Sequence, residues 1–206
     1  RFCTIVVANS PFAAFGDAFE EYVADTLRRM YPRSSILIDQ VIFNAVGRNA
    51  EGKAFEIDAA RLAAHAAVVI ETKAVFLRED AVTSAMPDDF VAALRAGYGA
   101  AADKKERDKG VAQLARSIGA IVRGEWVGEH AEFADPPVIY PVLVAHDTRL
   151  DAPALGHFLE KEFRALLGPV PAGKRVAPLT VVTIQDLENL EKSIDNFSLV
   201  DLLEDY

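Results

Sequence analysis

The sequence predicts an α/β protein in which helices flank a mixed central β-sheet. Two observations predict this class. Stretches with apolar residues at three- and four-residue steps alternate along the chain with short β-like runs. Two of the β-like runs are joined by a glycine-containing turn, which predicts an antiparallel hairpin, whereas later runs are separated by helices, which predicts parallel crossovers. A sheet that contains both kinds of connection is mixed.

The first half of the chain is predicted to contain one helix and four strands. In chain order, these are a strand, a helix and three further strands, over residues 2–8, 16–31, 36–43, 55–62 and 67–76. Pro32 ends the helix, because a proline disfavours helical geometry in the residue before it. Gly47 and Gly52 suit the hairpin turn between the second and third strands. The last strand is almost entirely apolar up to Glu71 and Lys73, which is typical of a central strand covered on both faces.

The second half is predicted to contain more helices than strands. The predicted elements are helices over residues 87–98 and 111–122, a strand over 138–145, a helix over 152–167, a strand over 179–184 and one or two short helices within 186–206. Pro87, Asp88 and Asp89 are expected to cap the first of these helices. The length of 206 residues predicts one domain. Because Arg1 already lies in an apolar run, we expect a segment of a longer polypeptide.

The net charge of −9 argues against a protein that coats nucleic acid by bulk electrostatics. Residues 186–206 hold seven acidic side chains and one lysine, so the other 185 residues carry a net charge of only −3. The one cysteine, Cys3, excludes a disulfide framework and a cysteine-rich zinc site, and it suits a reducing compartment. No apolar run approaches the length of a membrane span. We therefore expect a cytoplasmic protein with no membrane partner.

Glu71 and Lys73 are unusual because they lie inside an apolar strand. Alternation places both side chains on one face, and their burial is costly unless they are paired. Asp58, on the preceding strand, can lie beside Glu71. Two converging carboxylates suit Mg²⁺ or Mn²⁺, and a neighbouring lysine can position water and balance charge on a phosphate. The alternative is that Asp58 and Glu71 only form salt bridges with Lys73 and Arg61.

Two further residues extend this candidate site. Glu20 lies next to the apolar stripe of the first helix, formed in part by Phe19 and Val23, so its carboxylate can face the strand edge. Gln113 lies on a later helix, where its amide can contact a phosphate or a metal-bound water. The alternative for Gln113 is an ordinary glutamine on a helix surface.

The order of these parts resembles the PD-(D/E)XK nuclease superfamily, and more closely its nuclease-related and restriction-endonuclease-like branches. The residues that carry the resemblance are Gly16, Phe19, Glu20, Glu56, Ile57, Asp58, Val69, Ile70, Glu71, Thr72 and Lys73, followed by Gln113 and Leu114. The resemblance covers about residues 10–145, and residues 146–206 would be a C-terminal α/β extension. Two departures are Ile57, where the pattern has proline, and Ser117, where one branch has tyrosine.

The resemblance implies a restriction-endonuclease-like αβββαβ core and a role for each residue of the site. Asp58 and Glu71 would bind Mg²⁺ or Mn²⁺, and Lys73 would activate water. Glu20 would support metal binding, and Gln113 would be an auxiliary catalytic residue. The implied activity is metal-dependent hydrolysis of phosphodiester bonds, with DNA favoured over RNA.

A role as the effector of a bacterial defence or restriction system fits this resemblance. The near-neutral body suggests that substrate capture is shared with other domains or with partner subunits. The best candidates for phosphate contacts are Arg28, Arg29, Arg33, Lys104, Lys105, Arg107 and Lys109. The alternative is a catalytically inactive docking module, in which the acidic tail forms a partner-binding or nucleic-acid-mimicking surface.

Overall fold

The computed structural model of the protein describes residues 11–32, 40–48, 52, 54–63, 65–99, 110–128, 136–194 and 199–205. The elements are α1 (Pro11–Met30), β1 (Gln40–Arg48), β2 (Ala54–Ala63), β3 (Ala66–Lys73), α2 (Glu79–Val82), α3 (Pro87–Tyr98), α4 (Val111–Val122), β4 (Val127–Gly128), β5 (Val138–Ala145), α5 (Pro153–Leu167), β6 (Arg175–Val176), β7 (Thr180–Thr183), α6 (Ile184–Glu191) and α7 (Leu199–Asp205). A 3₁₀ turn, Thr148–Asp151, lies between β5 and α5. None of the helices in these ranges is both long and apolar enough to cross a membrane.

The described strands form one seven-stranded mixed sheet. Its order is β4-β1-β2-β3-β5-β6, and β7 also pairs with β5. Strands β4, β1, β2 and β3 pair antiparallel, whereas β5 runs parallel to β3, β6 and β7. The connection from β3 to β5 carries α2, α3 and α4, because a parallel pair needs a long crossover. The predicted fold class, an α/β protein with a mixed sheet between helices, is confirmed.

The sheet separates two halves of the apolar core. The α1-side core includes Phe19, Val23 and Leu27 of α1 with Val68 and Ile70 of β3. The α4-side core includes Leu114, Ile118 and Ile121 of α4 with Ala67 and Val69 of β3. Successive residues of β3 therefore face opposite layers, and its side chains are buried from Ala66 to Thr72. This burial confirms the prediction of a central strand covered on both faces.

Helices α3 and α4 and strand β5 lie at the predicted residues. Helix α1 begins at Pro11, five residues earlier than predicted, because a proline is well suited to the first turn of a helix. Helix α2, the 3₁₀ turn and the two-residue strands β4 and β6 were not predicted, since such short elements have no period. The predicted strand over residues 2–8 and the first part of the strand over 36–43 lie outside the described residues.

The expected cap of α3 was wrong in its detail. The residue at the cap position is Met86, whose side chain makes no capping hydrogen bond, and Pro87 occupies the first turn. Asp88 and Asp89 lie inside that turn, where their charges complement the helix dipole. The Asp89 carboxylate accepts a hydrogen bond from the Ser84 hydroxyl at 2.8 Å. Thus the acids act within the first turn and not as the cap.

The acidic tail is bonded to the body of the protein. The Glu188 carboxylate accepts a hydrogen bond from the Tyr22 hydroxyl (2.6 Å), and Glu191 forms an ion pair with Arg29 (2.5 Å). A third acid of the tail, Asp186, forms a reciprocal capping box with Thr183 at the start of α6. A fourth, Glu204, accepts from the Tyr140 hydroxyl. These four carboxylates therefore stabilise the folded chain through hydrogen bonds, an ion pair and a helix cap.

The chain that follows β3 is held by side chains from two other segments. Asp147 accepts a hydrogen bond from the Leu77 backbone N–H (2.8 Å), and Arg149 donates to the Leu77 carbonyl (2.6 Å). Arg149 also pairs with Asp147 at 2.6 Å, and the Tyr98 hydroxyl donates to the Val75 carbonyl. Because Asp147 is only 3% exposed, these bonds are shielded from water. They fix the path of the chain directly after Lys73.

We predict that Asp147→Ala lowers the free energy of unfolding by about 2–4 kcal/mol, because it leaves a buried N–H and a guanidinium without their acceptor. Urea unfolding at neutral pH measures the change. Asp201→Ala, at an exposed position of α7, is the matched control and should change stability by less than about 0.5 kcal/mol. Equal unfolding midpoints for the two variants would contradict this account of Asp147.

Candidate functional site

The candidate site lies where β2 and β3 separate. Their pairing extends from Ala63 and Ala66 to Ala59 and Ile70. Beyond that point β3 continues beside β5 as far as Lys73, whereas β2 continues beside β1. We call this place the strand fork, formed by residues 57–59 of β2 and 70–73 of β3. Three of the sequence-predicted site residues, Asp58, Glu71 and Lys73, belong to it.

Asp58 bridges the strand fork through its side chain. One carboxylate oxygen, Oδ2, accepts hydrogen bonds from the Thr72 backbone N–H (2.7 Å) and the Thr72 hydroxyl (2.8 Å). The Asp58 carboxylate thus accepts the Thr72 N–H in place of a main-chain carbonyl, just beyond the last paired residues of β2 and β3. The sequence analysis did not identify Thr72 as a functional residue, although a threonine between Glu71 and Lys73 in an apolar strand was a visible signal.

A matched irregularity in β1 and β2 turns Asp58 toward α1. Ile57 and Ala60 both face the α4-side core although they are three residues apart, so the alternation of β2 shifts between them. Asn44, opposite Asp58 in the register, lies in the left-handed region with φ of 51°. Asparagine tolerates this conformation better than most residues. The sequence analysis missed Asn44, whose signal was one polar residue inside an apolar strand.

A cavity of about 220 Å³ lies beside the strand fork, under α1. Its lining includes the side chains of Asp17, Glu20, Asn44, Asp58 and Thr72. Partial burial raises the pKa of Glu20, the charge of Asp58 raises it further, and the charge of Lys73 opposes the rise. Glu20 thus shares a cavity with Asp58 of the fork.

Glu71 and Lys73 form a buried ion pair. Lys73 Nζ lies 2.5 Å from Glu71 Oε1, and the Glu71 side chain is almost fully buried. Burial raises the pKa of Glu71 to about 8; Lys73 counteracts this rise, and Asp58 adds to it. Burial alone would lower the pKa of Lys73, but Glu71, Asp58 and Glu20 outweigh it and raise that pKa. The ammonium group is thus stabilised in its charged form.

Asp58 and Glu71 were expected side by side on adjacent strands, with Lys73 next along. The hydrogen bonds of Asp58 instead go to Thr72, on the α1 face of β3, whereas Glu71 and Lys73 alternate onto the α4 face. The physical reason is the shift in alternation at Asp58. The fork nevertheless brings both pairs into electrostatic reach, since Asp58 influences the pKa of Glu71 and of Lys73.

The salt-bridge alternative is observed in part, in the pair formed by Glu71 and Lys73. Arg61, the other basic residue of that alternative, is buried, and its guanidinium lies 4.5 Å from the centre of the Tyr31 ring. The ion pair by itself does not exclude chemistry, because an active site also needs its charged groups held in place.

Gln113 lies half-buried on α4, the helix that covers the other face of the sheet. It precedes Ser117 by one turn, so the two residues share a helix face. Ser117 donates a hydrogen bond to the Glu56 carbonyl at 3.4 Å, two residues before Asp58. The face of α4 that carries Gln113 therefore meets β2 near the strand fork.

The oxygen ligands at the fork fit Mg²⁺ or Mn²⁺ in kind. Asp58, Glu20 and Glu71 are hard carboxylate donors, and Mg²⁺ commonly takes one or two carboxylates and completes its shell with water and phosphate. Within the described ranges, no group of three or more His, Cys, Asp or Glu side chains is arranged around a common metal position. Asp58 and Glu20, which line one cavity, are the pair best placed to share a cation, with Glu71 behind them.

The predicted phosphate-binding arginines are already paired. Arg28 forms ion pairs with Asp25 (2.6 Å) and Glu21 (2.8 Å), and Arg29 forms one with Glu191. The other candidates, Arg33, Lys104, Lys105, Arg107 and Lys109, lie outside the described residues.

A comparison of the sequence with protein-family models and with curated proteins finds no match to either.

We predict that the wild-type protein loses stability from about pH 5 to about pH 8, and that Glu71→Gln flattens this loss. A carboxyl whose pKa is higher in the folded state, here about 8 against an ordinary 4.5, favours folding while it is protonated. Its contribution is complete below the unfolded pKa and disappears as pH rises through the folded pKa. Urea unfolding at several pH values measures the profile.

Glu56→Gln, at an exposed position of the neighbouring strand β2, is the control and should keep the wild-type profile. Parallel profiles for the wild-type protein and Glu71→Gln would show that the carboxyl of Glu71 is not the source of the pH dependence.

Proposed function

We propose that the protein is a Mg²⁺-dependent nuclease that hydrolyses phosphodiester bonds, with DNA as the favoured substrate. The observation that supports this most strongly is that Glu20 and Asp58 line one cavity at the strand fork, while the Glu71–Lys73 pair lies on the other face of β3 within reach of their charges. Burying charged groups near one another costs desolvation free energy. A role in phosphoryl chemistry would explain why three acids and a lysine are nevertheless kept this close. The order of these residues in the chain also resembles the PD-(D/E)XK superfamily.

Asp58 and Glu20, which line one cavity, are the proposed metal-binding carboxylates, and the buried Glu71 lies behind them. A divalent cation bound there would polarise the phosphoryl group and lower the pKa of the attacking water. Thr72 orients the Asp58 carboxylate through two hydrogen bonds to the same oxygen. That orientation does not depend on any other ligand, so the carboxylate is pre-organised before substrate binds.

Lys73 acts through its charge. Because three acids stabilise the ammonium form, its three N–H donors are suited to orienting a water and to balancing negative charge that develops on the phosphate. This differs from a lysine that works as a general base, which would have to be neutral. Gln113 is the proposed auxiliary, on the face of α4 that meets β2 through Ser117.

The pairing of Arg28 and Arg29 with carboxylates bears on how a substrate is captured. Arg28 and Arg29 are engaged by carboxylates, so phosphate contacts from these side chains would require breaking existing ion pairs. We therefore propose that other domains or partner subunits supply much of the affinity for nucleic acid. An effector of a bacterial defence or restriction system would have this arrangement.

A second candidate is a catalytically inactive docking module. It is favoured by the closed ion pair between Glu71 and Lys73 and by the absence, among the described residues, of a three-residue metal group. In that case the pair would only stabilise the sheet. The internal bonds of Glu188, Glu191 and Glu204 weigh against the idea that the tail is a free acidic surface.

We predict that Asp58→Asn and Lys73→Met each reduce Mg²⁺-dependent cleavage by at least about 100-fold, because each removes a charge that the transition state needs. The assay incubates plasmid, linear duplex, single-stranded DNA and RNA with Mg²⁺, Mn²⁺ or EDTA. The matched controls are Asp201→Asn on α7 and Lys161→Met on α5, both at exposed positions, and they should cleave at the wild-type rate.

Wild-type rates in Asp58→Asn or Lys73→Met would refute the proposed site. The absence of cleavage by the wild-type protein on every substrate and with every metal would favour the docking module. Circular dichroism of each variant separates loss of chemistry from loss of fold.

A further inference from the structure

An aromatic cluster adjoins the strand fork at the carboxyl ends of β3 and β5. We call it the aromatic shelf, formed by Phe15, Phe19, Phe76 and His146. The rings of Phe15 and Phe76 are nearly parallel, with centroids 5.9 Å apart and an interplanar angle of 19°. The His146 ring stands edge-on to all three phenylalanines, with centroids 4.7 to 5.3 Å away. Phe76 is 56% exposed and Phe15 is 37% exposed, so the shelf presents aromatic surface to solvent.

The shelf is fixed relative to Lys73. The His146 backbone N–H donates to the Lys73 carbonyl at 3.0 Å, and Phe76 follows Lys73 by only three residues. The bonds of Tyr98 and Asp147 to the backbone at Val75 and Leu77 fix the residues on both sides of Phe76. The main chain that carries the exposed Phe76 is therefore held in place on both sides.

The shelf and the cavity are neighbours on α1. Phe19 of the shelf and Glu20 of the cavity are consecutive residues of α1, and Phe76 follows Lys73 of the fork by three residues. The shelf therefore adjoins the fork, so that one nucleic-acid strand can contact both.

The charges around the shelf favour contact with bases over contact with phosphates. Arg78 is paired with Asp80, and Arg149 is paired with Asp147, so the nearby described guanidinium groups already have acidic partners. The chain as a whole carries −9. A polyanion gains little from such a surface by electrostatics, whereas stacking of a base on an aromatic ring needs no charge.

We propose that the aromatic shelf stacks an unpaired nucleobase, so that the substrate at the strand fork is single-stranded DNA rather than an intact duplex. Paired bases in a duplex have their faces covered by their neighbours, and only an unstacked base can meet Phe76 or Phe15. This inference rests on the proposed nuclease function, since it names the substrate class of the same site.

The test is fluorescence anisotropy with a labelled oligo-dT of about 15 nucleotides and a blunt duplex of equal length, in EDTA so that no cleavage occurs. The wild-type protein should bind the single strand at least about tenfold more tightly than the duplex. Phe76→Ala and Phe15→Ala should each weaken single-strand binding by about tenfold, and Phe76→Trp should restore it. Leu166→Ala, at an exposed apolar position of α5, is the control and should bind as the wild-type protein does.

Equal binding of single strand and duplex, or unchanged binding by the Phe76 and Phe15 alanine variants, would overturn the inference. The Mg²⁺-dependent cleavage assay is read separately. If the wild-type protein cleaves and the phenylalanine variants bind single strands as it does, the base-stacking inference is wrong and the nuclease proposal stands. If single-strand binding depends on the phenylalanines but the wild-type protein does not cleave, the base-stacking surface stands and the nuclease proposal is wrong.

Discussion

Glu71 and Lys73 form a buried ion pair at the point where β2 and β3 separate. Removing a carboxylate and an ammonium from water costs several kcal/mol for each ion, and their mutual attraction repays this only when the geometry is good. Here Glu71 and Lys73 lie 2.5 Å apart, and Asp58 and Glu20 add negative charge that stabilises the ammonium. A sheet built only for stability would place apolar residues at these positions. The fork therefore combines a structural cost with an arrangement suited to phosphate chemistry.

The elements around the fork are arranged so that it stays rigid. Thr72 anchors Asp58, the main chain after Lys73 is fixed by Asp147 and Arg149, and α1 covers the cavity from above. The acidic tail contributes by bonding Glu188 and Glu191 to α1. The same α1 that carries Glu20 is thus tied to the C-terminal part of the chain, which links the geometry of the site to the fold as a whole.

Much of the fold could be predicted because long elements have a clear period. Helices α3 and α4 and strand β5 lie at the predicted residues, and β3 is the central strand that its apolar run indicated. The candidate site was harder. Alternation predicted that Glu71 and Lys73 share a face, but no local pattern shows the shift at Asp58, which lies across from the left-handed Asn44 of the neighbouring strand. The roles of Thr72 and Asp147 depend on contacts between distant segments, which sequence spacing does not reveal.

We propose that a divalent cation binds at the strand fork through Asp58. Isothermal titration calorimetry with Mn²⁺ tests this without requiring a substrate. We expect one binding event per chain for the wild-type protein and for Asp201→Asn, and the loss of that event in Asp58→Asn. An absence of Mn²⁺ binding by the wild-type protein, or an unchanged titration of Asp58→Asn, would show that Asp58 does not hold a cation at the fork.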